Sequence, residues 1–149
     1  MVPSDLFLKS MNLVHRVVLK LSGGRLGWKA MKMPVLELTT TGRKSGEPRS
    51  VMLTSPVQEG DTIVIVASRG GGDNHPAWFL NLRDKPEVEV KYQGKAQQPM
   101  VATIAAEEER TRLWPQITEA YKGYADYQTR TDREIPVVLL TPAPAAPAS

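Results

Sequence analysis

The chain has no cysteine. That excludes disulfides, thiolate nucleophiles and cysteine-ligated zinc or iron–sulfur centres, and it is compatible with a reducing cytosol. Histidine is nearly absent too: His15 and His75 are the only two, too far apart in sequence to mark a metal site, so no metal is expected. No apolar run is both long enough and free enough of charge to cross a membrane, because Lys9, Arg16 and Lys20 interrupt the most hydrophobic stretch. The triplet Gly70-Gly71-Gly72 is not a Gly-x-Gly-x-x-Gly opening a helix after a first strand, which weighs against a nicotinamide-type Rossmann fold. Acidic residues are in slight deficit, 16 against 19 Lys and Arg. The resulting net charge of +3 suits a polyanion, an acidic membrane surface or an acidic cofactor without choosing among them.

What remains is 149 residues, enough for one domain that buries roughly two-thirds of its unfolded surface. Residues 4–22, SDLFLKSMNLVHRVVLKLS, place Leu6, Met11, Leu13, Val14, Val17, Val18 and Leu21 largely three or four apart. This predicts an amphipathic helix capped by Ser4 or Asp5. It has two readings: a helix packed on its own domain or a neighbouring subunit, or a basic helix lying at a membrane interface. Residues 1–30 are thus expected to be this helix and a Gly-rich connection, 31–142 the folded domain, and 143–149 a disordered Pro/Ala tail.

From Pro34 the period changes to that of strands: VLELTTT, RSVMLTSPV, TIVIVAS, EVEVKYQ, AQQPMVATIA and IPVVLL. QEGD, residues 58–61, predicts a hairpin turn, and Gly94-Lys95 a second. NHPAWFLNLRDK reads as a short helix with Pro76 in its first turn and Asp73 or Asn74 near its cap. A longer helix opens on Glu107, Glu108 and Glu109, where a helix N-terminus favours negative charge, and breaks at Lys122-Gly123. Six or so strands, mostly joined as hairpins and flanked by helices, predict an α+β domain on an antiparallel sheet or small barrel.

Three stretches carry the chemistry. In TTTGRKSGEPR, residues 39–49, Gly42 and Gly46 permit a tight turn, exposed N–H groups and Ser45 can face an oxyanion, and Arg43, Lys44 and Arg49 gather at one edge. This is either an anion cradle or a solvated basic turn. In TIVIVASRGGG an apolar strand ends in a small residue, then Ser68, Arg69 and glycines, a pattern that lets backbone approach a flat anionic ligand. Phe79 just beyond reads as core, whereas Trp78 could pack near a ring system. Tyr121, Tyr124 and Tyr127, three apart, form one stripe that serves equally as core or as pocket wall.

Together LTTTGRKSGEPR, VIVASRGG, HPAWFLNL with PEVEV, and the ending YKGYADYQTRTDREIPVVLL resemble the deazaflavin-dependent nitroreductase and quinone reductase family over residues 34–142. The resemblance implies an FMN-binding-like split β-barrel, reduced coenzyme F-420 as cofactor, and hydride transfer to quinones, nitroaromatics or similar electron-poor acceptors. It implies that Arg43, Lys44, Ser45 and Arg49 hold the cofactor's phosphate and acidic tail, with Ser68, Arg69, Gly70, Ala77 and Trp78 along its length. It further implies that Thr54, Tyr121, Tyr124 and Tyr127 wall the acceptor pocket, with Tyr124 and Ser68 as candidate catalytic groups. Arg69 stands where other members have Lys, and Thr54 where some have a substrate-facing Tyr. Members often carry a basic hydrophobic N-terminal helix associated with membranes. The expected location is therefore cytoplasmic, with peripheral contact to the inner face of the plasma membrane through residues 4–22 as one reading. The competing functions are an FMN-dependent split-barrel oxidoreductase and a non-catalytic deazaflavin carrier. Nucleic acid is not expected as a partner, because the cations are not interleaved with aromatics on a stacking platform.

Overall fold

The computed structural model describes residues 29–30 and 33–144. The expected helix at 4–22 and the end of the tail, 145–149, lie outside the described residues. Strands β1 (Lys29–Ala30), β2 (Met33–Thr41), β3 (Pro48–Thr54), β4 (Val57–Glu59) and β5 (Thr62–Val66) lead to a one-turn 3-10 helix (Arg69–Gly71) and helix α1 (Ala77–Asp84). There follow β6 (Glu87–Tyr92), β7 (Gln98–Ile104), α2 (Glu107–Ala120), α3 (Gly123–Thr129) and β8 (Val137–Pro142). Every pairing is antiparallel, in the order β1-β2-β6-β7-β8-β5-β4, with β3 hydrogen-bonded to β2 as well. The curled sheet is the split barrel that the sequence resemblance implies.

Among the described residues the eight strands exceed the six or so expected, for local reasons. The run RSVMLTSPV breaks in two at Ser55-Pro56, where proline cannot donate to a ladder, and Lys29–Ala30 adds a short pairing on β2. Buried Ser55 fixes that break. Its N–H donates to the Pro34 carbonyl at 3.0 Å, and its hydroxyl lies 2.6 Å from the Val64 carbonyl and 2.9 Å from that of Val57. The β4–β5 hairpin turns at Gly60-Asp61 as expected, with Glu59 opposite Thr62 and Gly60 at φ +59°. The cap expected of Asp73 or Asn74 does not form: Pro76 is the N-cap of α1 and no side chain caps it. The last strand begins two residues later than IPVVLL suggests, because Ile135 is drawn into the core and its N–H bonds the Gln128 side chain at 2.9 Å.

Two hydrophobic clusters share the sheet. On one face Leu36, Leu38, Ile63, Ile65, Val90, Met100 and Leu140 pack with Phe79 and Leu82 of α1. On the other, Val64, Val66 and Val137 meet Leu113 and Ile117 of α2 and Tyr124 of α3. The alternation of a strand sends Ile63 and Ile65 one way and Val64 and Val66 the other. Beyond Thr62, β5 is therefore apolar and buried on both faces, and it holds α1 and the α2–α3 pair on opposite sides of one rigid wall.

Candidate active site

The hairpin between β2 and β3 turns tightly: Gly42 N–H donates to the Glu47 carbonyl and Gly46 N–H to the Gly42 carbonyl, both at 2.8 Å. A Cβ on Gly42 would sit 2.7 Å from Ser45 Oγ, so only glycine leaves room for that hydroxyl. Ser45 Oγ in turn accepts from Glu47 N–H at 3.1 Å and from Arg49 Nη2 at 3.3 Å. Arg43, Lys44, Ser45 and Arg49 are all exposed. The turn is thus ordered from within while its cations face outward.

Asn81, a residue that sequence reasoning missed, ties this turn to α1. It is 4% exposed, and its Oδ1 accepts from both the backbone N–H and Nη1 of Arg43 at 3.2 Å. Its Nδ2 donates to Thr40 Oγ1 at 3.1 Å. A buried amide must be satisfied, and here the partner that satisfies it is the first cation of the cradle. The available signal was a polar, weakly helix-forming residue in the middle of AWFLNLRD, beside the core residue Leu82.

After β5, Ala67 is buried, Ser68 and Arg69 are half-buried, and Arg69 adopts the left-handed φ of +47°. The 3-10 turn runs on toward Pro76 and the start of α1, where Ala77 is exposed and Trp78 half-buried. The His75 ring lies 4.7 Å from that of Phe79, tilted by 45°. Burial, Arg133 and Arg83 hold its pKa below the usual histidine value, so the ring is neutral at physiological pH.

The three tyrosines do converge, though not as one helical stripe. Tyr121 is the extended C-cap of α2, whereas Tyr124 and Tyr127 belong to α3. The break between the helices sets Gly123 against the Tyr121 ring, where an added Cβ would lie 2.5 Å away, so the close approach requires glycine. The rings form a triangle of edge contacts with centroids 5.4, 6.1 and 6.3 Å apart. Tyr124 is buried, and its hydroxyl is 3.3 Å from Thr54 Oγ1 at the far end of β3. Tyr121 and Tyr127 are half-buried. Burial raises the Tyr124 pKa, and burial together with a hydrogen bond to Tyr121 pushes Tyr127 up to about 12. Both phenols are therefore protonated donors at neutral pH.

These contacts close a circuit. The cradle joins α1 through Asn81, and α1 follows directly from the 3-10 turn. Gly71 in that turn (φ +83°) lies against α3, where an added Cβ would be 2.8 Å from the Tyr127 carbonyl. Tyr124 of α3 meets Thr54, and β3 runs back from Thr54 to Arg49. At about 3.3 Å per residue the cationic end and the tyrosine end of β3 are about 17 Å apart. The donor set fits an elongated cofactor with an anionic tail at one end and a flat ring at the other. Among the described residues no group of His, Asp and Glu could hold a metal ion.

Comparison with known proteins agrees. The family model for F420H(2)-dependent quinone reductase matches residues 12–142. The F420H(2)-dependent quinone reductase Rv1261c of Mycobacterium tuberculosis is 36% identical over 131 residues, which are 86% of this chain and 87% of that protein. A solved F420-H2 dependent reductase (FDR-A) superposes with a TM-score of 0.64 at 42% identity, covering 72% of this chain and 93% of that one. A second solved chain, described as a domain-swapped dimer, gives a TM-score of 0.66 at 37% identity over 86% of this chain and 96% of its own length. The residues that form the circuit all fall inside the matched span, and this chain belongs to the F420H(2)-dependent quinone reductase family.

Proposed function

We propose that this chain binds coenzyme F-420 along β3, acidic tail at the cradle and ring at the tyrosine end, and reduces a quinone there. Family membership gives the reaction class, transfer of a hydride from reduced F-420 to a quinone. The observation that carries the site assignment is the circuit itself, with exposed cations at one end of a single strand and protonated phenols at the other.

Reduced F-420, when bound, supplies the hydride. The protein binds, orients and shields. Arg43, Lys44 and Arg49 hold the phosphate and acidic tail, Lys44 as a mobile point charge and the arginines as forks. Ser68, Arg69 and Gly70, with Ala77 and Trp78, line the length of the cofactor. Tyr121 and Tyr127 present half-buried rings to a flat acceptor, and Thr54 with Tyr124 forms the floor. Reduction of a quinone by a hydride leaves a negative oxygen, and the Tyr124 hydroxyl, relayed through Thr54, or Ser68, donates the proton.

Nitroaromatics are electron-poor acceptors of the same electronic kind, and the same wall accommodates them. The charge and spacing of residues 4–22 support peripheral contact with an anionic bilayer, where lipid quinones reside. Among the described residues no helix is long and apolar enough to cross one.

The test is a titration of the purified protein with reduced F-420, FMN and NADPH in parallel, followed by menadione while cofactor absorbance is recorded. Binding and oxidation are expected with the deazaflavin alone. Binding without turnover would identify a carrier, tight FMN binding an FMN enzyme, and no binding a solvated basic turn.

A further inference from the structure

We propose that Arg133 is a positioning residue for the cofactor, clamping residues 67–72 in the shape that presents Ser68 and Arg69. The inference rests on the reading of Ser68 and Arg69 as cofactor contacts.

Arg133 lies between α3 and β8, more than sixty residues from most of its partners, and grips the turn at both ends. Nε donates to the Gly72 carbonyl at 2.7 Å and Nη2 to the Ser68 carbonyl at 2.9 Å. Nη2 and Nη1 reach the Ala67 carbonyl at 3.2 and 3.3 Å, and Nη1 is 3.1 Å from His75 Nδ1. Burial, with Arg133 and Arg83, lowers the His75 pKa, so Nδ1 accepts when the ring proton is on Nε2. A guanidinium carries five N–H donors, and these five contacts occupy them. Arg133 is therefore committed to the protein's own acceptors and does not belong to the set of cations that meets the ligand.

The turn needs such a clamp. Arg69 holds a left-handed φ of +47°, a conformation that a non-glycine residue keeps only where its surroundings over-determine it. The three carbonyls that bracket Arg69 are the ones Arg133 gathers. The far side of the clamp is rigid in its own right. The Arg133 carbonyl accepts from Gln128 Nε2 at 2.7 Å, and Gln128 Oε1 accepts from Ile135 N–H at 2.9 Å and Arg110 Nη2 at 3.0 Å. A lysine offers donors from one point and cannot span Ala67, Gly72 and His75 together.

The experiment compares wild type, Arg133→Lys and Arg133→Ala for reduced F-420 affinity, for the menadione KM at saturating cofactor, and for the urea midpoint. Both variants are expected to bind F-420 about tenfold more weakly or worse, with the menadione KM changed less than about twofold. Millimolar guanidinium chloride, but not sodium chloride, is expected to restore affinity to Arg133→Ala, because the free ion refills the donor site. Unchanged affinity in either folded variant overturns the assignment, and so does a loss that guanidinium leaves untouched. If Arg133→Ala does not fold, Arg133→Lys decides the matter by its affinity alone. Failure of wild type to bind F-420 overturns the site reading itself, and is distinguished by occurring before any substitution.

Discussion

Tyr124 and Asn81 are both buried polar side chains: Tyr124 meets the far end of β3 at Thr54, and Asn81 meets Thr40 on β2 and Arg43 in the turn that leads into β3. The phenol of Tyr124 keeps its proton because burial disfavours the phenolate. Tyr124→Phe retains the ring triangle and removes the donor. We expect quinone turnover to fall about 100-fold, the low end for a lost general acid, while F-420 affinity holds. Steady-state kinetics beside a binding titration check this, and turnover within twofold of wild type would remove the role. Asn81→Ala leaves Thr40 Oγ1 without its donor and Arg43 without its acceptor. It is expected to cost about 1–3 kcal/mol in urea unfolding and to weaken F-420 severalfold, because Arg43 then wanders from the cradle. Loss of stability without loss of affinity would make Asn81 purely structural.

At the scale of elements, the decisive contact is the packing of α3 on the 3-10 turn. Gly71 combines a φ of +83° with a site where a Cβ would meet backbone at 2.8 and 3.0 Å. Gly71→Ala must therefore push α3 away, carrying Tyr124 from Thr54 and Tyr127 from the turn. Gly60 and Gly46 also have positive φ but nothing within 4 Å of an added Cβ. Alanine there incurs only the left-handed backbone strain, about 1 kcal/mol. We expect Gly71→Ala to lose more stability than Gly60→Ala and, unlike it, to lose quinone turnover. Equal effects of the two substitutions in thermal melts and assays would contradict the packing argument.

For the whole molecule, charge and architecture divide the work. The net charge of +3 is small, but exposed Arg43, Lys44 and Arg49 concentrate positive potential at one sheet edge. Salt screens exposed charges within about 8–10 Å at 0.1–0.15 M. The F-420 dissociation constant is therefore expected to rise steeply with sodium chloride, while the KM of neutral menadione stays nearly flat. Titrations across salt concentration test this, and parallel salt dependence of both would place the charges at the wrong end. The wall buried on both faces, β5, keeps the two ends in register because neither helix layer can shift without opening a core.

The sequence by itself determined most of the strands, the hairpins and the cationic turn. Those follow from period, from Gly60 and Gly42, and from residues that interact with near neighbours. The motifs in TTTGRKSGEPR and VIVASRGG also marked out both banks of the proposed site, because glycine, hydroxyl and cation at short spacing are local signals. Only the tertiary structure decided that the three tyrosines form a triangle across a helix break. It alone showed that Asn81 reaches Arg43 and Thr40 across about forty residues, and that Arg133 reaches Ala67, Ser68, Gly72 and His75 across about sixty. A side-chain hydrogen bond depends on where two backbones meet in space, and chain closure over such distances leaves no periodicity in the sequence from which that meeting could be read.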